Sequence, residues 1–438
     1  MNFMSKNANK LSREPYKGTR DFYPEDWALE KYIFEKMRKV CESFGYVEYN
    51  ASPLEPAELY SSKTNEEIVN EQTYTFTDRG DRKVTLRPEM TPTVARMIAA
   101  RRRELAFPLR WYSIPNVFRY EQPQRGRLRE HYQLNVDLFG ISEVEAEIEI
   151  INLGSDILFS LGAKADDFEI CINSRKLFAA LTAHLGVSSS YTHQLSKLLD
   201  KKEKLNKEEF ERKLKDMLGG GGSYFAGLLK TNDLESFING LPKDLEGHES
   251  IKEIEEVLLG VRSHNPNVNI GFSPTLMRGF DYYTGIVFEF FDKAEENRRS
   301  LFGGGRYDEL LSIFDEEQVP AVGFGMGDVT ARDFLESHNL LPQITSAINL
   351  IICLTGDASP DFVNEIASAL RNSGVNVAID WSYRKLGEQI KSADKQKIPY
   401  IVVIGKDEME TKYFTIKNLS SGKENKISVS EIAKLIKP

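Results

Sequence analysis

Glu89 and Thr91 lie in Arg87-Pro88-Glu89-Met90-Thr91-Pro92, where two prolines forbid regular pairing and stiffen the loop. A carboxylate and a hydroxyl projecting from a rigid loop are both acceptors, a pair that suits an ammonium group. The competing reading makes Thr91 the cap of a helix through Ala100. Arg119 stands at the end of an alternating strand, Trp111 to Phe118, where a fixed guanidinium can grip phosphate with two parallel N–H bonds. Gln133, Asn135 and Asp137 alternate along a second strand, His131 to Phe139, and share one face. Three polar groups on that face, beside Val136 and Leu138, point to a lined pocket. Asp281-Tyr282-Tyr283 adds an acid and two phenols ahead of a strand at Ile286 to Phe290, with Gly279 and Gly285 permitting close approach to a ligand. Phe302-Gly303-Gly304-Gly305-Arg306-Tyr307-Asp308 is a poor phosphate loop, since no GxxxxGK[ST] occurs in the chain.

These residues need elements to hold them. Residues 110 to 140 form a β-hairpin whose loop, from Glu121 to Glu130, carries Arg125, Arg127 and Arg129; a merely solvated loop is the competing reading. A helix from Trp27 to Ser43, started by Pro24, Glu25 and Asp26, leads to a strand from Val47 to Pro53. Thr73 to Asp78 and Arg82 to Leu86 read as strands around a turn at Arg79-Gly80-Asp81. Arg101-Arg102-Arg103 closes the helix that follows, either as favourable charge at a helix C-terminus or as an RNA contact. Glu143 to Leu161 is an amphipathic helix and Phe168 to Ile172 a strand. Lys197 to Lys215 is rich in Lys and Glu at helical spacing, and Gly219 to Gly222 reads as a flexible break. Beyond a linker at 342–346, continuous apolar strands alternate with amphipathic helices: Ile348–Cys353, Pro360–Ser373, Val375–Asp380, Tyr383–Lys395 and Tyr400–Gly405. That is a small α/β domain with a buried sheet. Its second helix, with Arg384, Lys385, Lys391 and Lys395, is either a phosphate site or a solvated face.

The chain has 438 residues, 41% hydrophobic and 28% charged, enough for two or three domains. A formal net charge of −9 argues against a uniformly basic nucleic-acid binder but permits a local basic surface. Cys41, Cys171 and Cys353 are too far apart in sequence for a paired zinc motif or a disulfide framework. The first ten residues lack the apolar centre of a signal peptide, and no apolar run is long enough for a bilayer, so a cytoplasmic protein is expected.

FRYE at 118–121, the basic loop and the returning strand resemble motif 2 of class II aminoacyl-tRNA synthetases, and PQRGRLREHYQLNVDLFG resembles the histidyl-tRNA synthetase version. RPEMT at 87–91, MRGFDYYTGIVFE at 277–289, GGRYD at 304–308 and AVGFGMG at 321–327 resemble further segments of the same family, and the first helix and strand resemble motif 1. The resemblance implies an α+β catalytic core, an antiparallel sheet flanked by helices, with a helical insertion and a C-terminal α/β anticodon-binding domain. The expected boundaries are 1–174 and 266–340 for the core, 175–265 for the insertion and 347–438 for the anticodon-binding domain. It further implies a histidine–tRNA ligase that forms histidyl-adenylate from histidine and ATP with Mg²⁺, without zinc, and transfers histidine to the 3′ end of tRNA(His). Arg119 and Arg278 would be the catalytic cations on the α-phosphate, and Glu121 would read adenine. Glu89 and Thr91 would hold the α-amino group of histidine, with Gln133, Asp137, Tyr282, Tyr283 and Tyr307 completing its pocket. Neutral imidazole needs one donor and one acceptor, which Tyr283 and Asp137 can supply. Gln124, Arg125 and Arg127 would meet the tRNA acceptor end. A homodimer and the absence of any membrane partner follow from the same resemblance.

Two positions depart from the family pattern. Asp137 stands where the family often has Glu. In motif 3, Thr330 occupies the place of the arginine that holds the γ-phosphate, and Arg332 is the nearest candidate to replace it, although two residues along a helix is about 200° of rotation. The rival function is a catalytically inactive paralogue regulating ATP phosphoribosyltransferase in histidine biosynthesis. A degenerate RNA-binding or sensor protein is a third.

Overall fold

The computed structural model describes residues 11–61, 72–200, 202, 205–277, 282–297 and 299–436. The chain divides into two compact units, residues 1–341 and 342–438.

The first unit is built on strands β1 (Val47–Glu48), β5 (Leu109–Ser113), β6 (Asn116–Phe118), β7 (Glu130–Phe139), β8 (Phe168–Ser174), β9 (Ile270–Phe272), β10 (Ile286–Asp292), β11 (Ser300–Arg306) and β12 (Ala321–Gly327). They form one sheet in the order β1-β5-β7-β12-β11-β10-β8-β9, with β6 paired to the free end of β7. Only the β1–β5 and β8–β9 pairs are parallel. The strand expected through Trp111 to Phe118 is broken in two. Pro115 has no N–H to offer the ladder, and its carbonyl instead accepts from Gln133 N at 2.9 Å, which keeps both halves in register with β7. The strand expected from Val47 to Pro53 is shorter, covering only Val47–Glu48. Beyond it, β2 (Leu54–Pro56) joins β3 (Tyr74–Thr77) and β4 (Lys83–Leu86) in a separate three-stranded sheet.

One face of the large sheet is covered by helices. The helix Pro24–Ser43 begins on proline with two acids in its first turn and buries Leu29, Ile33, Phe34, Met37 and Cys41. It packs on the helix Glu145–Ser160, which also meets Glu249–His264. Gly154 allows this helix to sit on the rings of Phe290 and Phe302; a methyl at Gly154 would stand 3.0 Å and 3.1 Å from them. The opposite face is left open for a ligand.

Between β8 and β9 the described residues carry six α-helices: Arg175–His184, Ser189–Asp200, Lys207–Leu218, Gly222–Leu228, Leu234–Asn239 and Glu249–His264. The Lys/Glu-rich stretch is therefore two helices, the second started by Asn206, whose side chain accepts from Glu209 N at 2.8 Å. The expected glycine break is a corner instead: Gly219–Gly221 make a 3₁₀ turn, and Gly222 opens the next helix against Lys215.

The second unit holds β13 (Leu350–Leu354), β14 (Val377–Ile379), β15 (Tyr400–Ile404), β16 (Phe414–Asn418) and β17 (Glu424–Ile427) in the order β14-β13-β15-β16-β17. The parallel trio matches the sequence reading. The antiparallel pair β16–β17 and the helix Val429–Ile436 extend it. The helix expected from Tyr383 starts at Leu386, because Tyr383 has φ +50° and Arg384 is drawn back onto Asp380 at 3.4 Å. No helix among the described residues is long and apolar enough to cross a membrane.

Candidate active site

The open face of the large sheet carries a cleft of about 1160 Å³. Its floor is made by missing side chains. The register pairs Gln133 with Gly327, Asn135 with Gly325 and Asp137 with Gly323, and pairs Gly303 with Gly325 and Gly305 with Gly323, so these glycines share the face on which the polar row of β7 projects. A Cβ at Gly323 would stand 2.4 Å from Val136 O, 2.7 Å from Asp137 Oδ1 and 2.8 Å from Tyr307 Oη; only glycine lets the Asp137 and Tyr307 side chains pack this closely over the strand.

Acceptors and phenols gather at the closed end. Asp137 is buried and continues the row of His131, Gln133 and Asn135, but lies at its bottom rather than among the residues lining the cleft. Its Oδ1 accepts from the Tyr307 hydroxyl, while Oδ2 finds no hydrogen-bond partner among the described residues. Burial raises its pKa from 3.8 to about 7, against the opposing pull of the Tyr307 hydrogen bond. The phenol bonded to Asp137 is Tyr307, with the rings of Tyr282 and Tyr283 at 5.6 Å and 6.4 Å from its own. Tyr307 is fixed by its neighbour. The buried Arg306 donates to Glu147 Oε1 at 2.6 Å and Oε2 at 2.5 Å, and to the carbonyls of Ile141 and Glu143 at 3.0 Å and 3.1 Å. Glu147→Gln is expected to destabilise the first unit by about 2 kcal/mol, read as a lower urea midpoint, because it leaves the guanidinium partly unpaired in the interior.

The loop with Glu89 and Thr91 closes the same end. Tyr282 Oη donates to Glu89 Oε2 at 3.2 Å, and Tyr60 Oη donates to the Glu89 carbonyl at 3.3 Å. The helix Thr91–Ala100 begins at Thr91 with no side-chain cap, so the capping reading fails, and Thr91 is among the residues lining the cleft. Arg87 braces the loop through the carbonyls of Asn116 at 2.9 Å and Ala51 at 2.7 Å.

Arginines hold the open end. Arg119 Nε donates to the Pro88 carbonyl at 2.9 Å, which couples it to the Glu89 loop; its terminal nitrogens make no hydrogen bond among the described residues. His131 lines the cleft on the same strand face, and burial, then Arg119, lower its pKa to about 3, so it stays neutral and brings no rival charge. Glu121 lines the cleft and pairs with Arg127 at 3.4 Å. Gln124 and Arg125 line it too, with Arg125 Nε 3.9 Å from Asp333.

One expected phosphate contact does not reach this cleft. Arg332 projects away from it, donating to Glu336 at 3.0 Å and standing 4.0 Å from Asp26, so the rotation of the helix turns it toward Pro24–Ser43. Arg278 lies outside the described residues, as does Asp281. Sequence reading missed His131 and Arg299 as cleft residues. His131 could have been found from its two-residue spacing to Gln133; Arg299, in an exposed charged turn, carried no such signal.

A family model described as histidyl-tRNA synthetase matches residues 18–328, and one described as an anticodon binding domain matches residues 349–438. The chain is 43% identical to a protein named histidine–tRNA ligase from Leptospira biflexa, covering 98% of both chains. It is 38% identical to one of the same name from Thermoplasma volcanium, covering 96% of this chain and 97% of that protein. The crystal structure of histidyl-tRNA synthetase from Nostoc sp. PCC 7120 superposes with a TM-score of 0.82 at 24% identity, covering 98% of this chain and 99% of that one. With identity of this level spread along essentially its full length, the chain belongs to the histidyl-tRNA synthetase family.

Proposed function

We propose that this protein is a histidine–tRNA ligase, and that the cleft activates histidine with ATP. The observation that carries the reading is the polarity along the glycine floor: a carboxylate, a hydroxyl and phenols at the closed end, arginines at the open end. Histidine enters with its imidazole toward Asp137 and Tyr307 and its ammonium toward Glu89 and Thr91, with Gln133, Tyr282 and Tyr283 enclosing it. A buried carboxylate oxygen without a partner marks where an imidazole N–H can dock. The histidine carboxylate then points at Arg119, where the α-phosphate of ATP would lie, with adenine read by Glu121. Magnesium arrives with ATP as part of the substrate.

One carboxylate oxygen of histidine attacks the α-phosphorus, the bond from that phosphorus to the bridging oxygen breaks, and its electron pair leaves on pyrophosphate. The protein orients the two reactants and offsets the charge that develops on the α-phosphoryl oxygens. Arg119 serves there, and Arg278 belongs with it in this reading. A ribose hydroxyl of the terminal adenosine of tRNA(His) then attacks the histidyl carbonyl carbon, the bond from that carbon to the phosphate oxygen breaks, and AMP leaves with the electron pair as the hydroxyl proton is lost, with Gln124, Arg125 and Arg127 beside the acceptor end. Residues 1–174 and 266–340 form the catalytic core, 175–265 the insertion and 347–438 the anticodon-binding part, in a cytoplasmic homodimer.

The test is histidine-dependent ATP–pyrophosphate exchange, with the other amino acids as controls and Arg278→Ala alongside. Exchange with histidine alone, lost in the variant, is the expected result. A well-folded protein that binds histidine without exchange would instead favour the regulatory paralogue.

A further inference from the structure

Thr330 leaves a vacancy in the cation set of the cleft, and the structure places a guanidinium from a different element beside it. A methyl built on Gly126, at the tip of the loop after β6, would have as its three nearest atoms Arg299 Nη1 at 3.6 Å, Asp333 Oδ2 at 3.7 Å and Thr330 Cγ2 at 3.8 Å. Arg299, just before β11, and Thr330 therefore both approach the same loop tip, and both line the cleft. We propose that Arg299 grips the terminal phosphates of ATP in this protein and steadies the pyrophosphate as it leaves; the assignment rests on the reading of the cleft as an ATP site.

Three features support it. The backbone under Arg299 is pinned, because its carbonyl accepts from Asp292 N at 2.9 Å. The helix carrying Thr330 is tied to the same place, since Thr330 Oγ1 donates to the Leu301 carbonyl at 2.8 Å. Cations gather here: Arg125 Nε stands 3.9 Å from Asp333, Arg299 also favours the charged form of that carboxyl, and Arg119 stands on the same cleft. Guanidiniums grouped in this way are the groups that bind a triphosphate. Arg332, the arginine nearest in sequence to Thr330, is spent on Glu336 and Asp26. Arg299 Nη1 donates to the Arg125 carbonyl at 2.5 Å. That bond also fastens the motif-2 loop, so phosphate binding at Arg299 and closure of the loop are linked.

A merely structural latch and a phosphate grip separate experimentally. In Arg299→Ala, the KM for ATP and for pyrophosphate in the exchange reaction is expected to rise about 10- to 100-fold, the loss of one charge-assisted bidentate contact. The KM for histidine and the affinity for a sulfamoyl analogue of histidyl-adenylate, which lacks the terminal phosphates, should stay within about 2-fold. Arg299→Lys, which keeps the charge without the fork, should fall between the two. Unchanged ATP and pyrophosphate KM, or a parallel loss of affinity for the analogue, would overturn the assignment. A wild-type protein inert in exchange would instead remove the reading of the cleft on which it depends, and the assignment with it.

Discussion

Arg119→Ala is expected to lower histidine-dependent ATP–pyrophosphate exchange by roughly 10²- to 10³-fold, with most of the loss in kcat. The guanidinium is held by one bond, Nε to the Pro88 carbonyl, and keeps its fork for a ligand. A cation already oriented before the charge forms requires no reorganisation when the α-phosphorus is attacked, which is why its removal falls on the transition state rather than on ATP binding alone. Because the same residue anchors the Glu89 loop, a smaller rise in the KM for histidine should accompany it. Arg119→Lys keeps the charge but cannot fork, and should recover only a minor part of the rate. Steady-state exchange kinetics across the three proteins measure this directly. Equal rates in all three would remove Arg119 from the chemistry.

Asp137→Asn is expected to weaken histidine activation and strengthen the fold at once. The sign follows from the raised pKa. The carboxyl titrates near 3.8 when exposed and near 7 when folded, so the native state carries no penalty below pH 4. As pH rises toward 7 the unfolded chain ionises first, and stability falls by about 4 kcal/mol in total. The asparagine removes that penalty: its unfolding midpoint should exceed the wild type at pH 8 and match it near pH 4. Binding should move the other way. Above pH 7 the carboxylate is the stronger acceptor for an imidazole N–H, so the wild-type KM for histidine should fall as pH rises from 6 to 8 and then level, whereas the variant should show a higher KM with a flatter profile. A wild-type affinity that weakens between pH 7 and 8 would mean that Asp137 binds imidazole through a shared proton instead. A stability cost retained for an acceptor that only the ligand uses is the pattern expected of a binding site.

Much of the cleft was legible because strand alternation is strict. Once His131 to Phe139 read as a strand, Gln133, Asn135 and Asp137 had to share a face, and the register then placed three glycines of β12 opposite them. The two prolines around Glu89 likewise announced a rigid loop. What could not be read were relations between distant segments. Nothing in the local sequence pairs Tyr307 with Asp137, since that bond depends on β12 lying between β7 and β11. Arg299 gave no signal for the same reason: its position matters only because Thr330 and Gly126 come to it. In the second unit, the strands Phe414–Asn418 and Glu424–Ile427 are largely polar and half-exposed, so they lack the continuous apolar run that marked the buried parallel strands. The Lys/Glu-rich insertion was read as one helical stretch because mixed charge hides a break, and only the Asn206 cap shows where the second helix begins.

Charging of tRNA(His) measures the proposed activity in full. Purified protein is incubated with ATP, magnesium, radiolabelled histidine and a tRNA(His) transcript, and acid-precipitable label on the RNA is followed beside a transcript whose 3′-terminal adenosine has been removed. Histidine should be esterified to the intact tRNA alone, with no charging by other amino acids and loss of charging in Arg119→Ala. Exchange of pyrophosphate without any transfer to tRNA(His), or equal charging by several amino acids, would contradict the proposed activity.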